Sequence, residues 1–275
     1  MIVFIQHGAF FQIVMFIPFI PKSKVGKMTV TISKLNKLAT DSLSRIDLWQ
    51  KIVAAIEAQT VAEIGVWKGD FAKEILDQCP NVNKYYMVDP WANLPDWNKP
   101  FNVKAEVFDE IYAEAMGKTE FASHKRVVLR GRTKEIIDKI PDESLDFAYI
   151  DGDHTLRGIT IDLIRLLPKI KEGGIIGGDD FSNNPWQHSV DFEPTLVCPF
   201  SIYFCEAMNL PISALPHDQF IIKKLSEQNF EFVDLTGNYT DISLNKFPPS
   251  PTLQRKNTIM AKIFSFLGDK RHKNL

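Results

Sequence analysis

Phe147-Ala148-Tyr149-Ile150-Asp151-Gly152-Asp153-His154 is an apolar run that ends abruptly in acid. One βα unit further on, Gly174-Ile175-Ile176-Gly177-Gly178-Asp179-Asp180-Phe181 repeats the pattern. Each apolar run reads as a buried strand. In a parallel α/β sheet, residues just past the carboxyl ends of neighbouring strands converge on the ligand crevice. Asp151, Asp153, Asp179 and Asp180, together with His154, then face one pocket. Carboxylates this close repel one another unless a bound cation or retained protons offset the charge. The paired clusters point to chemistry.

Working outward, the same alternation continues. Short apolar strands are expected at Val61–Val66, Tyr85–Val88, Val127–Leu129, Phe147–Ile150 and Gly174–Gly178. Helical spacing of apolar residues fills the intervals, over Ser33–Ala58, Phe71–Gln78, Val103–Met116, Thr133–Ile140 and Leu156–Ile170, with Lys171-Glu172-Gly173-Gly174 as the stop and turn after the last. Strands alternating with helices of this length argue for an α/β fold, a doubly wound and mostly parallel sheet with helices on both faces. Beyond Phe181 come a polar loop with Trp186 and His188 and a helix from about Thr195 to Met208. Two runs, Pro211–Ala214 and Phe220–Ile222, then close the sheet as an antiparallel hairpin.

A chain of 275 residues with a net charge of −2 holds one such core plus short extensions and gives no sign of a nucleic-acid partner. Cys79, Cys198 and Cys205 are too scattered for a disulfide framework or a zinc site, which suits the cytoplasm. Residues 1–21 carry no Asp, Glu, Lys or Arg and are long enough to cross a bilayer. Gln6, His7, Gly8, Gln12, Pro18 and Pro21 interrupt them, and no basic residue precedes them. Residues 1–27 therefore read as a non-spanning tail, or as a start placed ahead of Met28, in preference to a membrane anchor. The catalytic domain is expected over residues 28–225 and a C-terminal extension over 226–275. In the extension, Phe247–Pro251 is a linker and Thr252–Leu267 a basic amphipathic helix. Whether copies self-associate is left open by the sequence.

The first strand–turn–helix reads Val61-Ala62-Glu63-Ile64-Gly65-Val66-Trp67-Lys68-Gly69-Asp70. Gly65 and Gly69 let the backbone approach a ligand at the head of the next helix. The third glycine of a dinucleotide fingerprint is missing. Glu63 would repel a diphosphate and attract a cationic ligand. Asp89, at the end of the second strand, is placed to accept hydrogen bonds from ribose hydroxyls, or else it caps a loop. Arg130-Gly131-Arg132-Thr133 ends the third strand, where Thr133 meets an adenine edge or simply opens a helix.

Together these pieces resemble the class I S-adenosylmethionine-dependent methyltransferases, and within them the metal-dependent small-molecule O-methyltransferases of catechol and macrolide-sugar type. The resemblance spans roughly residues 40–224 and is most specific at Tyr149–Thr155 and Gly173–Asp180. It implies a seven-stranded Rossmann-like sheet of order 3-2-1-4-5-7-6. It also implies cofactor contacts from Glu63, Gly65, Val66, Gly69, Asp89, Arg132, Thr133 and Asp151, and Mg²⁺ held by Asp151, Asp179 and Asp180. A cation-bound hydroxyl loses pKa and becomes a nucleophile; Asp153 and His154 compete for the role of its base, with Asp153 preferred. The expected partner is a small-molecule acceptor. Two other classes compete. A nicotinamide-dependent oxidoreductase is disfavoured by Glu63, the missing glycine and the lack of a Tyr-x-x-x-Lys pair. A non-catalytic cofactor-binding protein has no use for so many strand-end acids.

Overall fold

The computed structural model describes residues 31–189, 191–227 and 229–239, together with the backbone of an antiparallel hairpin that pairs Ile2–His7 with Phe10–Met15. The tract 252–267, read as an amphipathic helix, lies outside the described residues. Eight strands form one sheet: β1 (Thr60–Ile64), β2 (Lys84–Asp89), β3 (Arg126–Arg130), β4 (Leu145–Ile150), β5 (Ile170–Gly178), β6 (Pro211–Leu215), β7 (Gln219–Lys223) and β8 (Glu231–Asp234). Their order is 3-2-1-4-5-7-6-8. Strand β7 runs antiparallel to both its neighbours, and every other pairing is parallel. The expected doubly wound, Rossmann-like sheet is present with one strand more than predicted. That strand comes from Glu231–Asp234, which the sequence placed in the extension.

Among the described residues, seven α-helices accompany the sheet: α1 (Ile32–Thr40), α2 (Arg45–Ala55), α3 (Asp70–Gln78), α4 (Ala105–Lys118), α5 (Thr133–Ile136), α6 (Leu156–Leu166) and α7 (Val197–Met208). Side chains alternate across the sheet as the pleat requires. Phe147 and Tyr149 of β4 join one buried cluster with Trp49 and Phe71, while Ala148 and Ile150 join another with Ile159 and Phe181. Gly177 exists for that packing: a Cβ there would lie 2.5 Å from Trp49 Cζ3.

Three local expectations fail. The helix read through Ser33–Ala58 is broken at Asp41–Ser44. Ser44 Oγ caps α2 by accepting from Asp47 N at 3.2 Å, and Asp47 Oδ2 accepts from Leu43 N at 2.7 Å. Leu43, counted on the apolar face, is 91% exposed. The competing side-chain hydrogen bonds of Asp41-Ser42-Leu43-Ser44 outweigh the apolar spacing. The break also puts Arg45 in the first turn of α2 instead of mid-helix. Second, Lys171–Gly174 is not a turn but the opening of β5, with a register shift between Leu145 and Phe147 on β4. Helix α6 ends earlier than expected, at Leu166, because Pro168 follows in a 3-10 turn.

Candidate functional site

A crevice of about 530 Å³ opens at the carboxyl ends of β1, β2, β4 and β5, a size usual for small-molecule and cofactor sites. Its floor on the β1 side is Glu63 and Gly65. Glu63 is buried and accepts a hydrogen bond from Tyr85 Oη at 2.8 Å. Burial pushes its carboxyl well above the usual range, against that hydrogen bond, and the neighbouring charges of Asp151 and Asp89 push it further. A cationic ligand would relieve the cost. Gly65, at φ +87°, turns the chain where the Asp151 carbonyl approaches it. Gly69 has a different task. It caps α3, and a Cβ on it would lie 3.0 Å from Ala115 Cα, so its smallness serves the α3–α4 packing.

Asp89 fastens the loops around it. Oδ2 accepts from Val66 N at 2.9 Å and Trp67 N at 3.0 Å, and Oδ1 accepts from Trp91 N at 2.7 Å. Trp67 and Trp91 both sit in left-handed backbone, at φ +52° and +39°, conformations that persist only when the surroundings enforce them. The loop-capping reading of Asp89 is what the hydrogen bonds show. The residue is a loop fastener that also lines the crevice.

Arg132 and Thr133 line the same space. Arg132 makes a forked pair with Asp96, Nη1–Oδ2 at 2.9 Å and Nη2–Oδ1 at 2.5 Å. Through this pair it ties the tryptophan-rich loop to the start of α5. The hydrogen bond from Arg132 holds the Asp96 carboxyl down to about 2. That loop, expected as a lid or wall, is also stitched to the loop after β5. Lys99 Nζ donates to Glu193 O at 2.8 Å and to Thr195 Oγ1 at 3.2 Å, and Asn98 Nδ2 donates to Asp191 O at 2.8 Å. Trp97, Lys99 and His188 reach the crevice from these loops.

The acidic clusters do converge, and they bring their own counter-charges. Arg45 Nη1 donates to Asp151 Oδ2 at 3.0 Å and pairs closely with Asp179 Oδ2. His154 Nδ1 pairs closely with Asp180 Oδ2, while Nε2 lies 3.4 Å from Asp151 Oδ1. Asp179 is held from behind as well. Its Oδ1 accepts from Gln219 Nε2 at 2.5 Å and from Asp180 N at 2.9 Å. Gln219 Oε1 in turn accepts from Trp49 Nε1 at 2.7 Å and Tyr149 Oη at 2.8 Å. Asp180, at φ +57°, is turned toward the imidazole.

This arrangement does not fit the expected Mg²⁺. A divalent cation needs several oxygens aimed at one point, yet the oxygens of Asp151, Asp179 and Asp180 are directed at a guanidinium, an amide and an imidazole. Among the described residues no group of three or more His, Cys, Asp or Glu is arranged to hold a metal ion. His154, a rival base in the sequence, sits between two carboxylates. Burial works against a charged ring, but the Asp151 and Asp180 carboxylates outweigh it and push the imidazole up to about 10. At neutral pH it holds its proton and cannot accept another. Asp153 lines the crevice, with Oδ1 accepting from Trp97 Nε1 and from Thr155 N, both at 3.0 Å.

Sequence reasoning missed Arg45, Gln219, Lys99 and Asp162. Asp162, buried on α6, lines the crevice. Burial raises its carboxyl to about 7, against a hydrogen bond with Thr133. Folding therefore takes up a proton between pH 3.8, the unfolded value, and about 7. Stability falls as pH rises through that window and then levels. Asp162→Asn keeps an acceptor for Thr133 and removes the penalty. Urea unfolding is expected to find the variant more stable than wild type by up to about 4 kcal/mol at pH 8, and nearly equal at pH 4. A difference that ignores pH would show that Asp162 ionises normally.

Residues 62–181 match a family described as a methyltransferase domain. No curated protein matches the chain. Among solved structures, the chain is similar to an O-methyltransferase from Bacillus cereus in complex with SAH, at 16% identity over 72% of this chain and 82% of that one, TM-score 0.46. It is similar to an SAH-bound methyltransferase from Podospora anserina, at 14% identity over 70% and 86%, TM-score 0.48. An O-methyltransferase from Streptomyces achromogenes, involved in tomaymycin synthesis and complexed with SAM, gives 12% identity over 70% and 88%, TM-score 0.48. Over residues 62–181 the expected resemblance to methyltransferases is borne out.

Proposed function

We propose that the protein transfers the methyl group of S-adenosylmethionine to a hydroxyl of a small molecule or sugar. The observation that carries this reading is the placement of Glu63 and Asp89 at adjacent strand ends, around a crevice that continues into the Asp153 side. A buried acid favours a cationic ligand over a diphosphate. Asp89 offers oxygens to a ribose, and Thr133 and Arg132 stand where the adenine end would lie. The sulfonium then points toward Asp151 and Asp153. In this reading Asp153 accepts the acceptor's hydroxyl proton while that oxygen attacks the methyl carbon in line with the departing sulfur. The two stitched loops exclude water from the transfer.

Calorimetry with S-adenosylmethionine tests the cofactor, with micromolar-range binding expected. Binding of NAD in its place would overturn the reading in favour of an oxidoreductase. Methyl-labelled S-adenosylmethionine, offered with catechol, simple phenols and hexoses, tests the acceptor class. With an acceptor in hand, Asp153→Asn is expected to lower kcat by about 10²- to 10⁴-fold and to leave cofactor affinity within about twofold, since the amide keeps an oxygen for Trp97 and Thr155. Unchanged kcat would remove Asp153 as the base.

A further inference from the structure

We propose that Arg45 is the resident cation of the acceptor site, its guanidinium standing between Asp151 and Asp179 where a divalent metal would otherwise be held. The methyl-transfer reading supplies only the use of this charge; the seating of Arg45 stands apart from it. Three observations fix the seat. The Asp41–Ser44 break and the Ser44 cap start α2 at Arg45, so the side chain leaves from the first turn toward the strand ends. Lys51 Nζ holds Asp47 Oδ2 at 2.8 Å, which steadies the same turn. On the other side, Gln219 aims Asp179 by taking one carboxylate oxygen and leaving the second for Arg45. The amide of Gln219 has its own oxygen filled by Trp49 and Tyr149, so it cannot turn over without orphaning buried donors. A second cationic group stands at the same spot: His154 Nε2 lies 3.4 Å from Asp151 Oδ1.

A guanidinium differs from a metal in what it can grip. It directs several fixed donors at oxygen and stays charged across the accessible pH range. It also repels any divalent cation that approaches the same carboxylates. The expected acceptor is therefore one that presents an oxygen to Arg45 beside Asp153, and the expected site is independent of Mg²⁺.

The probe is Mn²⁺, followed by electron paramagnetic resonance on the full-length protein with and without S-adenosylmethionine. Wild type is expected to show no saturable Mn²⁺ binding up to millimolar concentration. Arg45→Ala and Arg45→Gln are expected to acquire it, and Asp179→Asn added to either variant to abolish it. Circular dichroism of each variant checks folding, and the wild-type measurement stands whether or not a variant folds. Saturable Mn²⁺ binding by wild type, lost with Asp179→Asn, overturns the proposal. So does an absence of binding in wild type and both folded variants, because the acids would then form no cation seat for Arg45 to fill. Calorimetry with S-adenosylmethionine on the same samples separates the two readings. Failure to bind the cofactor sinks the methyl-transfer reading and leaves the Mn²⁺ result standing.

Discussion

Gly65→Ala is expected to unfold about 3–5 kcal/mol more easily than wild type and to lose S-adenosylmethionine binding. Gly65 holds φ +87°, and an added Cβ would lie 2.5 Å from both the Asp151 carbonyl carbon and Gly152 Cα. Those are backbone atoms, and they are pinned. Asp151 N donates to Ile64 O at 2.8 Å, and Gly65 N donates to Val88 O at 2.9 Å. Left-handed backbone for alanine costs roughly 1–3 kcal/mol, and overpacking against an immobile neighbour adds a similar amount. Relief requires β1 and β4 to part at the crevice floor. Urea unfolding and calorimetry read the two losses. A variant within about 1 kcal/mol of wild type would show that β4 yields, and that the close approach is not needed.

Asp89→Ala is the second large effect. It leaves the amides of Val66, Trp67 and Trp91 without their acceptor and releases two tryptophans from left-handed backbone. Each orphaned buried donor costs about 1–3 kcal/mol, partly recovered when water enters the loosened loops. A net loss of about 3 kcal/mol is expected in urea unfolding. Cofactor affinity is expected to fall by at least about 100-fold, the loss of two ribose hydrogen bonds to a charged acceptor. Asp89→Asn keeps one oxygen but presents an N–H to an N–H on the other side, so it should lie between. If both variants bind S-adenosylmethionine as wild type does, the ribose is held elsewhere and Asp89 is a fastener only.

Strands β1 to β5 could be read because each carries a short apolar run, and its carboxyl end lies at the ligand edge whatever the loops do. That logic also found Glu63, Asp89, Asp151, Asp153, Asp179 and Asp180. Excess negative charge was visible for the same reason, but its balance was not. Arg45 looked like one charge within a continuous helical stretch, because the apolar spacing of Leu35 to Ile56 runs through the break that capping residues impose. Gln219 carries no charge and sits on a strand at the far side of β5, and Lys99 lies in a loop without periodicity. The metal expected from the resemblance was an answer to real repulsion. The chain supplies another in Arg45 and His154. Gly69 shows a use the sequence does not reveal, since a glycine that admits a ligand and one that admits a helix look alike.

The salt link of Arg45 to Asp151 and Asp179 joins positions 106 and 134 residues apart, and it begins outside the stretch that matches the methyltransferase domain. Contacts of such sequence separation form only after both ends are ordered, whereas β1, β2 and β3, with Asp89 among them, follow one another along the chain. The half of the crevice around Asp89 should therefore consolidate early in folding, and the half around Asp151 and Asp179 should close late, when α2 docks. The same order in reverse predicts a partly open state in which α2 has lifted away. In it the amides of β1 and β4 remain protected from hydrogen exchange while those of α2 exchange, and the molecule would hold its methyl donor with nothing yet to give it to.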